Sequence, residues 1–271
     1  MTTSPAASTS CQRWRDRRAS FREAPELFDP RQHAVDLLDE RSAKAFVETH
    51  HYSRSYPAAR LRVGLFRGTQ LVGVAVFAEP AQRAILPKYV PTARGGAVLA
   101  RLVLLDEVPA NAETWFLARA FGALRREKPD VEAVVSYADP FQRQALDGRV
   151  IMPGHVGLIY QAFNGRYLGR SAKETIVLDP HGRVISRRAL SKLRNGEQGA
   201  EYAERQLVDA GAPRRLPGED PVDYVRRAIS TGPFRVARHP GNHVYAWPLA
   251  RGVVLAPPAG PFPKKQQEAS P

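Results

Sequence analysis

Arg101 stands in the middle of an otherwise apolar run, AVLARLVLL (97–105). A guanidinium in a buried strand is costly unless it meets a carboxylate, a phosphate or solvent. An active-site role, a pair with Asp106 and a sheet face open to water each meet that condition, and buried charges concentrate at sites. A second apolar run, AVVSY (133–137), leads into Ser136, Tyr137 and Asp139 at its end, which is where open α/β sheets gather their chemistry. His50-His51-Tyr52-Ser53 offers imidazole, phenol and hydroxyl together. With the Asp139 carboxylate these histidines make a His-plus-carboxylate set that suits iron or zinc, although paired histidines also occur simply at helix ends. Val156, Ile159, Tyr160 and Phe163 repeat at i, i+3, i+4, i+7, a short amphipathic helix that Asn164-Gly165 can end. Tyr160 then packs its ring inward, its hydroxyl reaching a polar partner. His155 reads as structural, and His239 and His243 carry no site signature.

The elements that must hold these groups are legible nearby. Leu38, Ala45 and Phe46 keep helical spacing behind Asp36 or Asp39 as caps, and that helix runs into the histidines. LRVGLF (61–66) and LVGVAVF (71–77) flank turn residues 67–70 and predict a β-hairpin. Leu117, Ala120, Phe121 and Leu124 mark one face of a helix between the two apolar strands, with Asn111 as its cap and Pro129 as its stop. The turn before it, DEVPANAET (106–114), points helix amides that can hold a pyrophosphate, or that are simply capped. Candidate cofactor contacts along this stretch are Val103, Leu105, Asn111, Ala112 and Thr114. The pattern changes after Asp179. Three helical stretches (186–196, 200–210 and 220–230) predict a small basic insertion at 181–235, and HVYAWPL (243–249), within 236–256, returns as a last strand. The core is thus expected at 25–180, with disordered ends at 1–24 and 257–271. The fold class is α/β or α+β.

The 271 residues carry a net charge of +13, which points to a polyanion, because clustered Lys and Arg release counterions from phosphates. A nucleic acid is one expectation from this charge, a solvated basic surface the other. Arg54 and Arg62, with Arg187, Arg188, Lys192 and Arg194 around a thin apolar stripe, are the candidate phosphate contacts. The single Cys11 excludes a disulfide framework and fits a reducing cytoplasm. No apolar run has the length of a membrane span. The oligomeric state stays open, a dimer included.

SYAD (136–139) followed by GHVGLIYQAFNGRYLG (154–169), with HHYSRSYP (50–57) and LARLVLL (99–105) upstream, resembles the Mom family of bacteriophage DNA-modification proteins, over roughly His50 to Tyr245. The resemblance implies the acyltransferase fold known as GNAT, a mixed and mostly antiparallel sheet flanked by helices. It also implies conversion of the adenine exocyclic amine in duplex DNA to a carbamoylmethylamino group, protecting phage DNA from host restriction. On that reading Arg101 stabilises charge, Asp139 acts as base or metal ligand, Ser136 and Tyr160 position groups, and Tyr52 and Ser53 border the site. Iron, associated with the family, would fall to His51, Tyr52 and Asp139. An extra-helical base implies an aromatic pocket near Tyr52, Tyr137 and Tyr160. GNAT enzymes use acetyl-CoA or another acyl donor on a Gly-rich turn, where this chain has Pro109, Ala110 and Asn111. Two alternatives stand beside this reading: a GNAT N-acyltransferase acting on a protein or small amine, and a non-enzymatic DNA-binding protein on the same scaffold.

Overall fold

The computed structural model describes residues 28–81, 84–109 and 111–264, so the expected leader 1–24 and the end of the tail lie outside the described residues. In chain order the strands are β1 (His33–Leu37), β2 (Ala59–Arg67), β3 (Gln70–Ala78), β4 (Gly96–Leu104), β5 (Ala133–Ala138), β6 (Arg143–Gln144), β7 (Val150–Met152), β8 (Arg166–Arg170), β9 (Glu174–Leu178), β10 (Arg235–His239) and β11 (His243–Pro248). The α-helices are α1 (Glu40–His50), α2 (Ile85–Tyr89), α3 (Ala112–Glu127), α4 (Leu158–Ala162), α5 (Arg187–Asn195), α6 (Ala200–Asp209) and α7 (Pro221–Thr231). No helix among the described residues is long and apolar enough to cross a membrane.

Two compact units divide the chain. Of the described residues, the first takes those within 28–139, 155–171 and 242–264, the second those within 140–154 and 172–241. The expected insertion at 181–235 lies wholly inside the second unit, which also takes in β6, β7 and β9.

In the first unit, a seven-stranded sheet has the order β1-β2-β3-β4-β5-β11-β8, antiparallel except for the parallel pair β4–β5. This is the mixed, mostly antiparallel architecture with flanking helices that was expected. The hairpin β2–β3 forms where its alternation and turn predict it. Asp39 caps α1 by accepting the Ser42 amide at 2.9 Å. On one face of the sheet, Leu61, Val63, Leu65 and Phe77 pack against Phe116, Leu117, Ala120 and Phe121 of α3. On the other, Val74, Val76 and Val103 pack against Ala43, Phe46 and Val47 of α1. Edge strand β1 and strand β8 carried no clear periodic signal in the sequence. Residues 257–264, expected to be disordered, are instead held: the Ala259 amide donates to the Tyr167 carbonyl at 3.1 Å, and the Pro263 carbonyl accepts from Gln161 at 3.1 Å.

In the second unit, α5, α6 and α7 enclose a core of Leu190, Leu193, Leu207, Tyr224 and Val225. Sequence-coded caps set their ends. Ser186 accepts the Ala189 amide at 3.3 Å, Asp220 accepts that of Val222 at 2.8 Å, and Gly196 closes α5 at φ 61. Strands β9 and β10 form an antiparallel ladder, as do β6 and β7.

Candidate active site

Two irregularities around β4 build the site. Ala97 and Leu99 face α3, and strict alternation would send Arg101 into that same apolar core. The ladder to β3 slips here. Phe77 pairs with Leu99 and Val76 with Arg101, so Ala100 is an extra residue, a β-bulge. Beyond it Leu102 and Leu104 face α3 while Val103 packs on the α1 side, and Arg101 is spared the core. Second, the parallel β4–β5 pairing ends at Leu99 and Ser136, although β4 continues to Leu104 on β3 and β5 to Ala138 on β11. The two strands part beside Arg101.

The half-buried Arg101 guanidinium is oriented by neutral oxygens. Its Nε donates to the Ser55 carbonyl at 2.9 Å, Nη2 to Ser55 Oγ at 2.8 Å and Nη1 to the Ala100 carbonyl at 2.6 Å. Among the described residues it forms no ion pair, so the expected alternative of a pair with Asp106 is not found. Burial pushes its pKa below the ordinary arginine value, with Tyr52 and Tyr160 nearby opposing the shift. It stays a cation at neutral pH, because an ordinary arginine titrates far above it.

Ser136 is fully buried and donates to the Leu99 carbonyl at 2.9 Å. Tyr160 lies close by; burial raises its pKa, while Ser136 and Arg101 pull it back. The phenol therefore keeps its proton at neutral pH. Gly157, at φ +80, precedes α4 so tightly that a Cβ there would stand 2.8 Å from the Tyr245 ring and 3.0 Å from both Ala138 and the Tyr160 ring. A side chain at 157 would press on the Tyr160 ring.

His51 is buried at the end of α1, and its Nδ1 accepts the Ser53 amide at 3.1 Å and lies 2.8 Å from Ser53 Oγ. Tyr52 lies between two imidazoles, its ring centroid 4.2 Å from that of His51 and 6.5 Å from that of His155. The His155 amide donates to the Asp139 carbonyl at 2.7 Å, which ties it to the end of β5. His155, read from the sequence as structural, thus belongs with this cluster. Ser55 was also missed, and only its hydrogen bonds to Arg101 reveal it.

Several expectations change. Tyr137 neighbours Ser136 on a strand and so faces the other way, packing toward Tyr89 and Val135; burial there, with Tyr89 beside it, raises its pKa well above the ordinary value. It does not line a pocket with Tyr160. Among the described residues no group of three or more His, Cys, Asp or Glu side chains is placed to hold a metal ion. The expected iron set of His51, Tyr52 and Asp139 thus has no such group to support it. Val103 is buried in the α1-side core, Leu105 is partly buried and its amide is bonded to the Val72 carbonyl at 2.8 Å, and Ala112 is buried. Asn111 occupies the cap position of α3 at φ 72 but makes no side-chain cap bond, and Thr114 bonds only the local Asn111 carbonyl, at 3.3 Å. Asp106 and Glu107 are exposed here, Glu107 pairing with Arg67 at 3.0 Å, and Glu113 is buried in the first turn.

The expected phosphate contacts differ in freedom. Arg54 is exposed, in a left-handed conformation at φ 45. Arg62 is tied to the Leu38 carbonyl at 3.2 Å and to Glu40 at 3.5 Å. In the second unit Arg187 pairs with Glu174 at 3.2 Å and Arg188 with Glu197 at 2.5 Å, whereas Arg194 is exposed and Lys192 half-buried.

The sequence pattern of the Mom protein family matches residues 32–216, well over half of the chain. The chain belongs to the Mom protein family. Arg101, Ser136, Asp139, Tyr160 and the His51–Ser55 turn all fall inside the Mom segment, as does α5, while α7, β10 and β11 lie beyond it. The methylcarbamoylase mom of Escherichia phage Mu is 29% identical over 166 residues, 59% of this chain and 62% of that protein. The match thus spans less than two thirds of that relative. Among solved structures, an N-acetyltransferase from Staphylococcus aureus Mu50 overlaps 56% of this chain and 92% of its own at 7% identity and a TM-score of 0.33. A tandem GNAT protein from the clavulanic acid biosynthesis pathway overlaps 80% and 99% at 10% identity and a TM-score of 0.40.

Proposed function

We propose that this protein is a DNA-modifying transferase that converts the exocyclic amine of adenine in duplex DNA to a carbamoylmethylamino group, protecting phage DNA from host restriction. The observation that carries the reading is Arg101, a cation held in place by neutral oxygens where β4 and β5 part, with Tyr160 and Ser136 beside it. Membership of the Mom family supports the choice of substrate.

In the reaction the amine nitrogen bonds to the methylene carbon of the two-carbon unit and loses a proton, and the donor's leaving group departs with the bonding pair. Negative charge develops on the donor side. A fixed guanidinium in a desolvated site stabilises such charge without reorganising. The protonated Tyr160 hydroxyl is a second donor. Asp139 and His155, joined at the end of β5, are the candidate proton acceptors, with Tyr52 as the aromatic wall for an extruded base. Exposed Arg54 and the basic face of α5 hold phosphates.

Mass spectrometry of nucleosides from the DNA of cells expressing the protein tests this directly. The expected result is a modified deoxyadenosine heavier by the carbamoylmethyl group, absent with Arg101→Ala. Unmodified DNA together with acetyl-CoA-dependent acetylation of amines would replace this reading with that of an ordinary N-acyltransferase.

A further inference from the structure

Helix α4 carries Tyr160, yet it has only five residues, none of them fully buried, and Gly157 at its start supplies no side-chain cap. So short a helix has almost no stability of its own, and its place is set by what holds it. Strand β11 holds both ends. The Tyr245 hydroxyl donates to the Val156 carbonyl at 2.5 Å, just before the helix, and Trp247 Nε1 donates to the Phe163 carbonyl at 2.8 Å, just after it. Residues 245 and 247 share one face of the strand, so the two tethers act together. The same rings wall Tyr160, whose ring centroid lies 5.6 Å from that of Tyr245 and 5.8 Å from that of Trp247.

Gln161 is a third tether. Its amide nitrogen has two hydrogens and three oxygens in reach: the Tyr245 hydroxyl at 3.0 Å, the Pro263 carbonyl at 3.1 Å and the Val156 carbonyl at 3.3 Å. Both carbonyls can only accept, so the amide turns its nitrogen and not its oxygen toward them. Val156 already takes the Tyr245 hydrogen, which leaves the two Gln161 hydrogens for Tyr245 and Pro263. Pro263 brings in the segment 259–263, which the Ala259 amide ties to the Tyr167 carbonyl of β8 at 3.1 Å. The Phe262 ring closes the same corner, its centroid 6.4 Å from that of Tyr245.

We infer that Gln161 is a positioning residue: it fastens α4 to β11 and to the segment 259–263, and so holds the Tyr160 hydroxyl beside Arg101. That segment, which lies beyond the Mom match, thereby becomes part of the working site. The inference rests on the proposed roles of Arg101 and Tyr160 in adenine modification. Tyr160 is the neighbour of Gln161 in the chain, so a shifted helix carries the hydroxyl with it. A misplacement of about 1 Å is enough to slow a reaction by about 100-fold.

Steady-state kinetics of adenine modification in duplex DNA test this with Gln161→Met and Gln161→Glu. Met keeps the length and Glu the shape, and neither donates at neutral pH. Both should lower kcat by about tenfold and leave KM for the duplex within about twofold of the parent value. In a Tyr160→Phe background the same changes should have no further effect, because the hydroxyl they displace is gone. An unaltered kcat, or a loss of the same size in that background, overturns the inference. Amide hydrogen exchange needs no reaction. The Gln161 and Phe163 amides, bonded to the Gly157 and Ile159 carbonyls at 3.0 and 2.9 Å, should exchange faster in Gln161→Met and in Tyr245→Phe while the β5–β11 amides keep their rates. Faster exchange confined to α4, in a protein that leaves adenine unmodified, would support the fastening and sink the proposed reaction. Unchanged exchange would sink the fastening whatever the chemistry.

Discussion

Arg60 and Arg101 are both partly withdrawn from water on neighbouring parts of one sheet, and they are treated in opposite ways. The Arg60 side chain is only 16% exposed, at the start of β2. Its Nε meets Glu79 at 3.0 Å, Nη1 donates to the Gly96 carbonyl at 3.0 Å and Nη2 pairs with Asp130. Arg60 thereby fastens β2 to the end of β3 and to the loop before β5, and its charge is spent inside the fold. Arg101 has the same number of fixed donors, but every acceptor is neutral. Orientation without neutralisation is poor engineering for stability and good engineering for a site that must meet developing negative charge.

The largest effect expected from breaking this contrast is on chemistry. Arg101→Ala should reduce adenine modification by about 100-fold or more, the scale of losing a preorganised charge donor, with little change in melting temperature. Arg60→Ala should do the opposite, lowering unfolding free energy by about 1–2 kcal/mol while activity per folded molecule persists. Nucleoside mass spectrometry and urea unfolding of both variants provide the comparison. Equal activity losses would mean that Arg101 serves the fold as Arg60 does.

The next effect concerns arginines that are paired but exposed. Charge reversal at Arg187, Arg188 and Lys192 should weaken duplex binding about tenfold or more and reduce the salt slope by about one for each phosphate that is no longer neutralised. Because Arg187 and Arg188 already face Glu174 and Glu197, the drop should be smaller than three free cations would give. Fluorescence anisotropy over a salt series measures it, and an unchanged slope would remove α5 from the DNA surface.

Ser55→Ala sharpens the comparison within the site itself. Removing the Oγ acceptor while keeping the backbone carbonyl should cost about 1 kcal/mol of transition-state stabilisation, roughly a fivefold fall in kcat. Ser55→Thr should restore most of it. Indifference to both changes would show that Ala100 and the carbonyl suffice to aim Arg101.

The smallest effect is a pH signature of pairing. Glu219 is held down to about 2, first by its hydrogen bonds to Arg227 and then by the Leu216 amide. A depressed carboxylate contributes stability above its unfolded value near 4.5, and that contribution is lost as pH falls through the folded value. Melting temperatures between about pH 5 and pH 2 should therefore fall more gently in Glu219→Gln than in the parent chain. Identical curves would show that the pair adds nothing to folding.

Much of this protein is written locally. The hairpin at 61–77, the face of α3, and the caps Asp39, Ser186, Asp220 and Gly196 follow from residues within a turn or two of one another, and Arg101 stood out because its neighbours are apolar. Period-two alternation could also have placed Tyr137 opposite Ser136. Other features needed the folded chain. The bulge at Ala100 exists because β3 and α3 fix the faces of Leu99 and Leu102, and it reverses the side that alternation assigns to Arg101. The parting of β4 from β5 depends on pairings between residues 37 apart in sequence, and the approach of Ser55 to Arg101 spans 46. Strands β1 and β8 are short edges with mixed burial, so their periodicity is weak and their partners define them. The sequence determined which residue types were out of place for a buried strand. Only the tertiary structure decided which arginine was neutralised and which kept its charge, because counter-ions come from distant parts of the chain.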